Sequence, residues 1–249
     1  MTESHKSTIP ASMKTAVIIP ALNESGTVAR VVSEAIEVIG HHVFVVDDAS
    51  SDDTAATARA AGATVLCMPY GSGAWNSIQA GIMFCMQRGY QRFVTMDADG
   101  QHMAQSIRVI SDCAEATRAN VVLGSYPERG SRGRRLVWRM FNRISGLGLR
   151  DMTTGLKCYD RDAAGYLLSS ETALLDYQDV GTLLVLRRRG MSIREVPVVM
   201  CMREDGCSRV FSSWLAVFEY MLKSMLWILS DKIMSGTDND HSWETYHDV

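Results

Sequence analysis

Few of the features that would set this chain apart from ordinary globular proteins are present. No stretch reaches the 18 or more uninterrupted apolar residues of a confident membrane span. The nearest, WLAVFEYMLKSMLWIL at 214–229, carries Glu219 and Lys223. No Cys-x-x-Cys pair or metal-finger spacing links Cys67, Cys85, Cys113, Cys158, Cys201 and Cys207, which argues against a zinc finger or a thioredoxin-type redox pair. Most of these cysteines stand among apolar neighbours, where a reduced thiol behaves as a small hydrophobe. The N-terminal MTESHKSTIPASMK has no apolar signal-peptide core, so the expectation is a reducing cytoplasm. A basic excess is lacking too: the formal net charge is -3, and nothing global recommends nucleic acid as a partner. There is no internal repeat and no low-complexity linker.

What is present is a well-cored composition, 47% hydrophobic over 249 residues, enough for one large α/β domain. Apolar β-branched runs at 15–22, 42–50, 63–68 and 92–97 alternate with helical patterns at 27–39, 51–62 and 77–89. Further strands are expected at 120–125 and 194–204, and helices at 105–118 and 176–190. Such alternation predicts a Rossmann-like, mostly parallel sheet sandwiched by helices. The simplest division is a flexible N-terminus at 1–13, a folded domain at 14–212, an apolar amphipathic helix at 213–234 and a loose tail at 235–249.

In open α/β sheets, ligands bind off the carboxyl ends of the strands. Asn23-Glu24, Asp47-Asp48 and Asp97-Ala98-Asp99 each follow a strand directly, so three polar clusters converge on one edge. Carboxylates are costly beside a hydrophobic core unless a cation or donor compensates them. Asp97 and Asp99 suit a hard divalent ion, Mg2+ or Mn2+, which takes one or two carboxylates together with substrate phosphates. Asp47 suits a hydrogen bond from a base N–H of uracil or guanine, while Asp48 has the alternative of capping the next turn. The segment 128–143, ERGSRGRRLVWRMFNR, places six arginines, Arg134 and Arg135 among them, against Glu128. That composition suits a loop closing on diphosphate or meeting anionic lipid headgroups.

Taken together, VIIPALNESGTVARVV, VVDDASSDDT, MDADGQH, DMTTGLKCYDRDA and REVPVVMCMREDGCSRV resemble, in this order, the motifs of family 2 glycosyltransferases. They look most like the branch of dolichol-phosphate mannose synthases and bacterial polyprenyl-phosphate sugar transferases, over about residues 15 to 212. The resemblance implies a GT-A fold and metal-dependent sugar transfer with inversion. By position it implies that Pro20, Leu22, Asn23 and Glu24 contact the nucleotide, and that Asp47 and Asp48 hold base and ribose. Asp97, Asp99 and Gln101 match the metal and diphosphate site. Arg203, Ser208 and Arg209 match the segment that grips the diphosphate, helped by Arg134 and Arg135. The chain departs from the pattern at Leu22, where an aromatic is common, and at Gly100, where mannose synthases often carry leucine.

One position separates two chemistries. Hydroxyl-directed members carry a Glu-Asp pair whose Asp is the general base, and Asp179 in Gln178-Asp179 is the matching residue; otherwise it is an acid at a helix start. A polyprenyl phosphate acceptor is already an anion and needs no base. The 214–229 helix has an apolar stripe wide enough to pack on the domain, to form a homodimer, or to lie on the membrane with Trp214 and Trp227 as anchors. The expected protein is a cytoplasmic glycosyltransferase, peripheral on the inner membrane face. It would move sugar from a UDP-, GDP- or dTDP-sugar to a polyprenyl phosphate or lipid-linked glycan, with Asp99, Asp179, Arg203 and Arg209 as catalytic candidates. Rival readings are a hydroxyl-directed transferase using Asp179, a nucleotidyltransferase, and a non-catalytic nucleotide-sugar or nucleic-acid binding module.

Overall fold

The computed structural model describes residues 15–126, 139, 142, 143, 145–173, 175, 178–201, 223, 225, 226 and 229. Within them the first half alternates as expected: β1 (Thr15–Ala21), α1 (Val28–Ile39), β2 (Val43–Asp47), α2 (Thr54–Ala60), β3 (Thr64–Cys67), α3 (Ala74–Gln87) and β4 (Arg92–Thr95). There follow α4 (Gln105–Thr117), β5 (Val121–Ser125), β6 (Lys157–Asp160), α5 (Arg161–Leu167), the one-turn α6 (Ser170–Ala173), α7 (Val180–Arg188) and β7 (Ile193–Pro197). One seven-stranded sheet has the order β3-β2-β1-β4-β6-β5-β7. All its pairings are parallel except those of β6, which runs antiparallel to both β4 and β5.

Both faces of the sheet are covered, and alternate strand residues feed two cores. On one face Ile18, Val46, Phe93, Leu123 and Tyr159 pack with Ile78 and Ile82 of α3 and Leu183 and Leu186 of α7. On the other, Val17, Val45, Val94, Val122 and Cys158 pack with Val28, Val32 and Ala35 of α1 and Ile107 and Ile110 of α4. Cys85 and Cys158 belong to these cores, and burial pushes both thiols up to about 12, so they are inert fillers.

The reversed strand matters most for function. Because β6 runs against its neighbours, its first residue, Lys157, pairs with Thr95 at the end of β4 and with Leu123 near the end of β5. The start of β6 therefore lies on the same edge as the carboxyl ends of β1, β2, β4 and β5. The sequence pattern leaves this strand unmarked, since it is short, follows Thr153-Thr154-Gly155, and opens with a lysine. Among the described residues no helix is long and apolar enough to cross a membrane. The expected apolar helix at 214–229 is not supported: it lies outside the described residues apart from Lys223, Met225, Leu226 and Leu229. Of these, Leu226 and Leu229 are exposed.

Candidate functional site

Two loops on the carboxyl edge are tied to each other by polar bonds. After β1, Asn23 adopts a left-handed conformation (φ 54°), which Asn tolerates better than most residues. Its N–H donates to Ser50 Oγ at 2.9 Å and its Oδ1 accepts from the Ser51 N–H at 2.8 Å. The Glu24 N–H donates to Thr54 Oγ1 at 2.8 Å, and the Thr54 hydroxyl in turn donates to Asp52 Oδ1 at 2.5 Å. Asp52 Oδ2 takes the Ser25 N–H at 3.2 Å. With the Thr54 hydroxyl foremost among these donors, the Asp52 carboxyl is held down to about 2. The residue before α2 is Asp53, and it makes no side-chain cap bond. A third loop joins through the Thr27 hydroxyl, which donates to the Ala98 carbonyl at 2.8 Å.

Asp47 and Asp48 share a backbone but not a task. Burial opposes the charge of Asp48. Its Oδ1 nevertheless accepts from Ser72 N–H (2.7 Å) and Oγ (2.9 Å), its Oδ2 accepts from Gly73 N–H (2.8 Å), and the balance holds its carboxyl below its ordinary value. It thus fixes the Gly71-Ser72-Gly73 turn that starts α3. Asp47 is equally buried, but its Oδ2 accepts a longer 3.3 Å bond from Ser50 N–H, and its Oδ1 has no partner among the described residues. A buried acceptor without a donor costs about 1–3 kcal/mol. A ligand N–H entering between the β1 and β2 ends would remove that cost.

The Asp97–Asp99 loop leaves β4 with Asp97 half exposed and Asp99 in an Asx turn, its Oδ1 accepting the Gln101 N–H at 3.1 Å. Buried His102 points Nε2 at Asp97 Oδ2 from 3.4 Å, and the Gln101 carbonyl accepts from Cys201 N–H at 2.8 Å. Gly155 lies against the loop so closely that a methyl group on it would overlap the Asp97 carboxylate. Gly100 has φ 74°, and the Arg30 guanidinium occupies the place of a side chain there. That explains the glycine where related motifs carry leucine. Among the described residues no three His, Cys, Asp or Glu are grouped to hold a metal ion. Mg2+ and Mn2+ sites completed by substrate phosphates need only one or two carboxylates. Asp97 and Asp99 are hard oxygen donors of that kind on the ligand edge, so the residues present fit such an ion.

Behind this loop lies a polar cluster that the motifs do not announce. Lys157 is fully buried; its Nζ donates to the Gln178 carbonyl at 2.5 Å and stands 3.4 Å from Asp179 Oδ1. Burial pushes this ammonium down from its ordinary value, against the pull of Asp179, Asp151 and Asp97. Thr95 Oγ1 donates to the Gly155 carbonyl at 2.8 Å, which also accepts from Gln178 Nε2 at 3.3 Å. Asp179 precedes α7 but makes no side-chain cap bond there. The sequence singles out Asp179 of this cluster, but gives no sign that Lys157 is its partner.

Of the residues singled out from sequence, Pro20, Leu22, Asn23, Glu24, Asp47, Asp48, Asp97, Asp99, Gln101 and Asp179 lie at this edge, at the ends of their strands or the start of α7. Arg134, Arg135, Arg203, Ser208 and Arg209 lie outside the described residues.

Comparison with known proteins agrees with this geometry. The family described as Glycosyl transferase family 2 matches residues 16–171. A polyprenol monophosphomannose synthase of Mycolicibacterium smegmatis is 28% identical over 241 residues, covering 88% of this chain and 89% of that protein. An undecaprenyl-phosphate mannosyltransferase of Micrococcus luteus is 31% identical over 216 residues, covering 80% and 88%. Among solved structures, glucosyl-3-phosphoglycerate synthase from Mycobacterium tuberculosis, in complex with Mn2+, UDP-glucose and phosphoglyceric acid, superposes with a TM-score of 0.66 at 18% identity. That match covers 87% of this chain and 79% of that one. It establishes the GT-A fold.

Proposed function

Because the chain belongs to glycosyl transferase family 2 and is a glycosyltransferase, we propose that it transfers a sugar, with inversion, from a nucleotide-diphosphate sugar to a polyprenyl phosphate. The observation that carries this choice of acceptor is the pairing of Asp179 with buried Lys157. A hydroxyl acceptor needs a free base, which is worth about 10²- to 10⁴-fold. Here the carboxylate at that position is already committed to an ammonium, and an acceptor that arrives as a phosphate anion has no proton to lose. The relatives, named for transfer to polyprenyl phosphates, support the same reading.

In this reading Asp47 Oδ1 receives the base N–H, and Asp48 acts by fixing the Ser72–Gly73 turn. Asp97, Asp99 and Gln101 would hold Mg2+ or Mn2+ with the donor diphosphate; such an ion neutralises the departing phosphates as a Lewis acid. Arg203, Ser208 and Arg209, with Arg134 and Arg135, are assigned to the same phosphates from the resemblance of their motifs. The catalytic unit is 14–212, working at the cytoplasmic face of the membrane. The test supplies UDP-glucose or GDP-mannose and Mg2+ or Mn2+ with either a short polyprenyl phosphate or the matching polyprenol. Sugar is expected on the phosphate alone, and Asp99→Ala should abolish transfer while its circular dichroism stays native. Transfer to the alcohol at equal or better rate, lost in Asp179→Asn, would establish the hydroxyl-directed chemistry instead.

A further inference from the structure

We propose that Lys157 is a positioning residue for the transfer reaction: its buried ammonium anchors the Gln178–Asp179 start of α7 and offsets the negative charge of Asp97, Asp151 and Asp179, so that an anionic acceptor can reach the donor. This rests on the acceptor being a phosphate, as proposed above. Lys157 touches no substrate, for it has no exposed surface. Its influence travels by two routes. The first is mechanical. Nζ grips the Gln178 carbonyl, Gln178 Nε2 and the Thr95 hydroxyl both donate to the Gly155 carbonyl, and Gly155 is the surface on which the Asp97 carboxylate rests. Thr95 holds Gly155 without the ammonium, so the loss of Lys157 bears first on the Gln178–Asp179 start of α7 and far less on the loop facing the diphosphate. The second route is electrostatic. Three carboxylates stand near enough to act on this one ammonium, and Asp151 is itself fully buried. An edge that must receive a donor diphosphate and an acceptor phosphate together gains from a fixed cation behind its carboxylates, because like charges in a partly dehydrated site repel strongly. The antiparallel insertion of β6 is what delivers the lysine there, opposite Thr95.

The experiment uses the full chain with a short polyprenyl phosphate, the donor and Mg2+. It reads acceptor KM and kcat alongside the slow hydrolysis of donor, in which neutral water replaces the anion. Lys157→Met keeps the length and apolar stem without the charge. Its acceptor KM should rise on the order of tenfold or more, the scale of one unit charge at several ångströms in a protein-like dielectric. Donor hydrolysis should change far less. The double variant Lys157→Met with Asp179→Asn removes cation and anion together and should recover most of the lost acceptor KM. An unchanged acceptor KM, an equal loss in donor hydrolysis, or no recovery in the double variant overturns the positioning role. Should Lys157→Met fail to fold, Asp179→Asn alone decides. It removes a negative charge while keeping the ammonium, so acceptor KM should fall; a 10²-fold or greater loss of kcat would overturn the proposal by making Asp179 the base. A wild-type protein that hydrolyses donor yet never transfers to polyprenyl phosphate removes the acceptor reading and this role together. Wild-type transfer with Lys157→Met unaffected removes this role alone.

Discussion

Gly155 illustrates how much of the site depends on a single missing atom. Its φ lies outside the left-handed region, so its backbone does not demand glycine; the obstacle to any side chain is the Asp97 carboxylate lying on it. Gly155→Ala must therefore push Asp97 aside, and the displaced carboxylate loses its alignment with Asp99. We expect a cost of about 1–3 kcal/mol in urea unfolding, the scale of overpacking. We also expect a loss of activity on the order of 10²-fold, as for a roughly 1 Å misplacement, with saturation shifted to higher Mn2+ concentration. A variant that loses stability but keeps its metal dependence would show that Asp97 does not need that seat. Gly100 is glycine for a different reason, its positive φ together with the Arg30 guanidinium above it. Two glycines a few ångströms from the same acids thus answer to different constraints.

At the scale of elements, the edge is organised by loops bonded to loops. Thr54 is the junction between the first two, since its hydroxyl accepts from Glu24 N–H and donates to Asp52. It is fully buried, so Thr54→Val would strand the Glu24 N–H against a methyl group. Urea unfolding should show a loss of about 1–3 kcal/mol. Because Asn23 and Glu24 are proposed to contact the nucleotide, donor KM should rise while the acceptor KM stays near wild type. A variant that is destabilised with both KM values intact would make Thr54 purely structural. The alternation of β1 through β4 with their helices was legible in the sequence because each element has one period and clear punctuation, and the acids at the strand ends follow from that parse. What escaped was β6 and with it Lys157. A four-residue strand buried on both faces has no alternation to detect, and a lysine reads as a surface residue until carboxylates from three other segments are brought around it. Asp179 was likewise ambiguous, because its partner lies 22 residues earlier and only the antiparallel turn of the chain unites them.

For the molecule as a whole, the choice of nucleotide turns on one buried carboxylate oxygen. Asp47 Oδ1 is buried at the end of β2 with no donor among the described residues, so the ligand-free fold gains little from it. Removing an unsatisfied buried acceptor is close to neutral, whereas removing one with a partner is costly. Asp47→Ala should therefore melt within a few degrees of wild type, losing only the 3.3 Å bond from Ser50. Ligand binding separates the two proteins. A ligand taken up only by the folded state stabilises it by about 2.7 kcal/mol at a hundred times its Kd. In a chain of this size that is a rise of about 5–11 °C in Tm, at roughly 2–4 °C per kcal/mol. Wild type should show such a rise with one of UDP, GDP or dTDP in the presence of Mg2+ or Mn2+, and much less with either component alone, because in the proposed site the diphosphate would complete the coordination of an ion held by Asp97 and Asp99. Asp47→Ala should lose most of the rise from the preferred nucleotide. If the variant instead melts far below wild type and keeps the full nucleotide-dependent rise, Asp47 belongs to the scaffold and the base is read elsewhere on the edge.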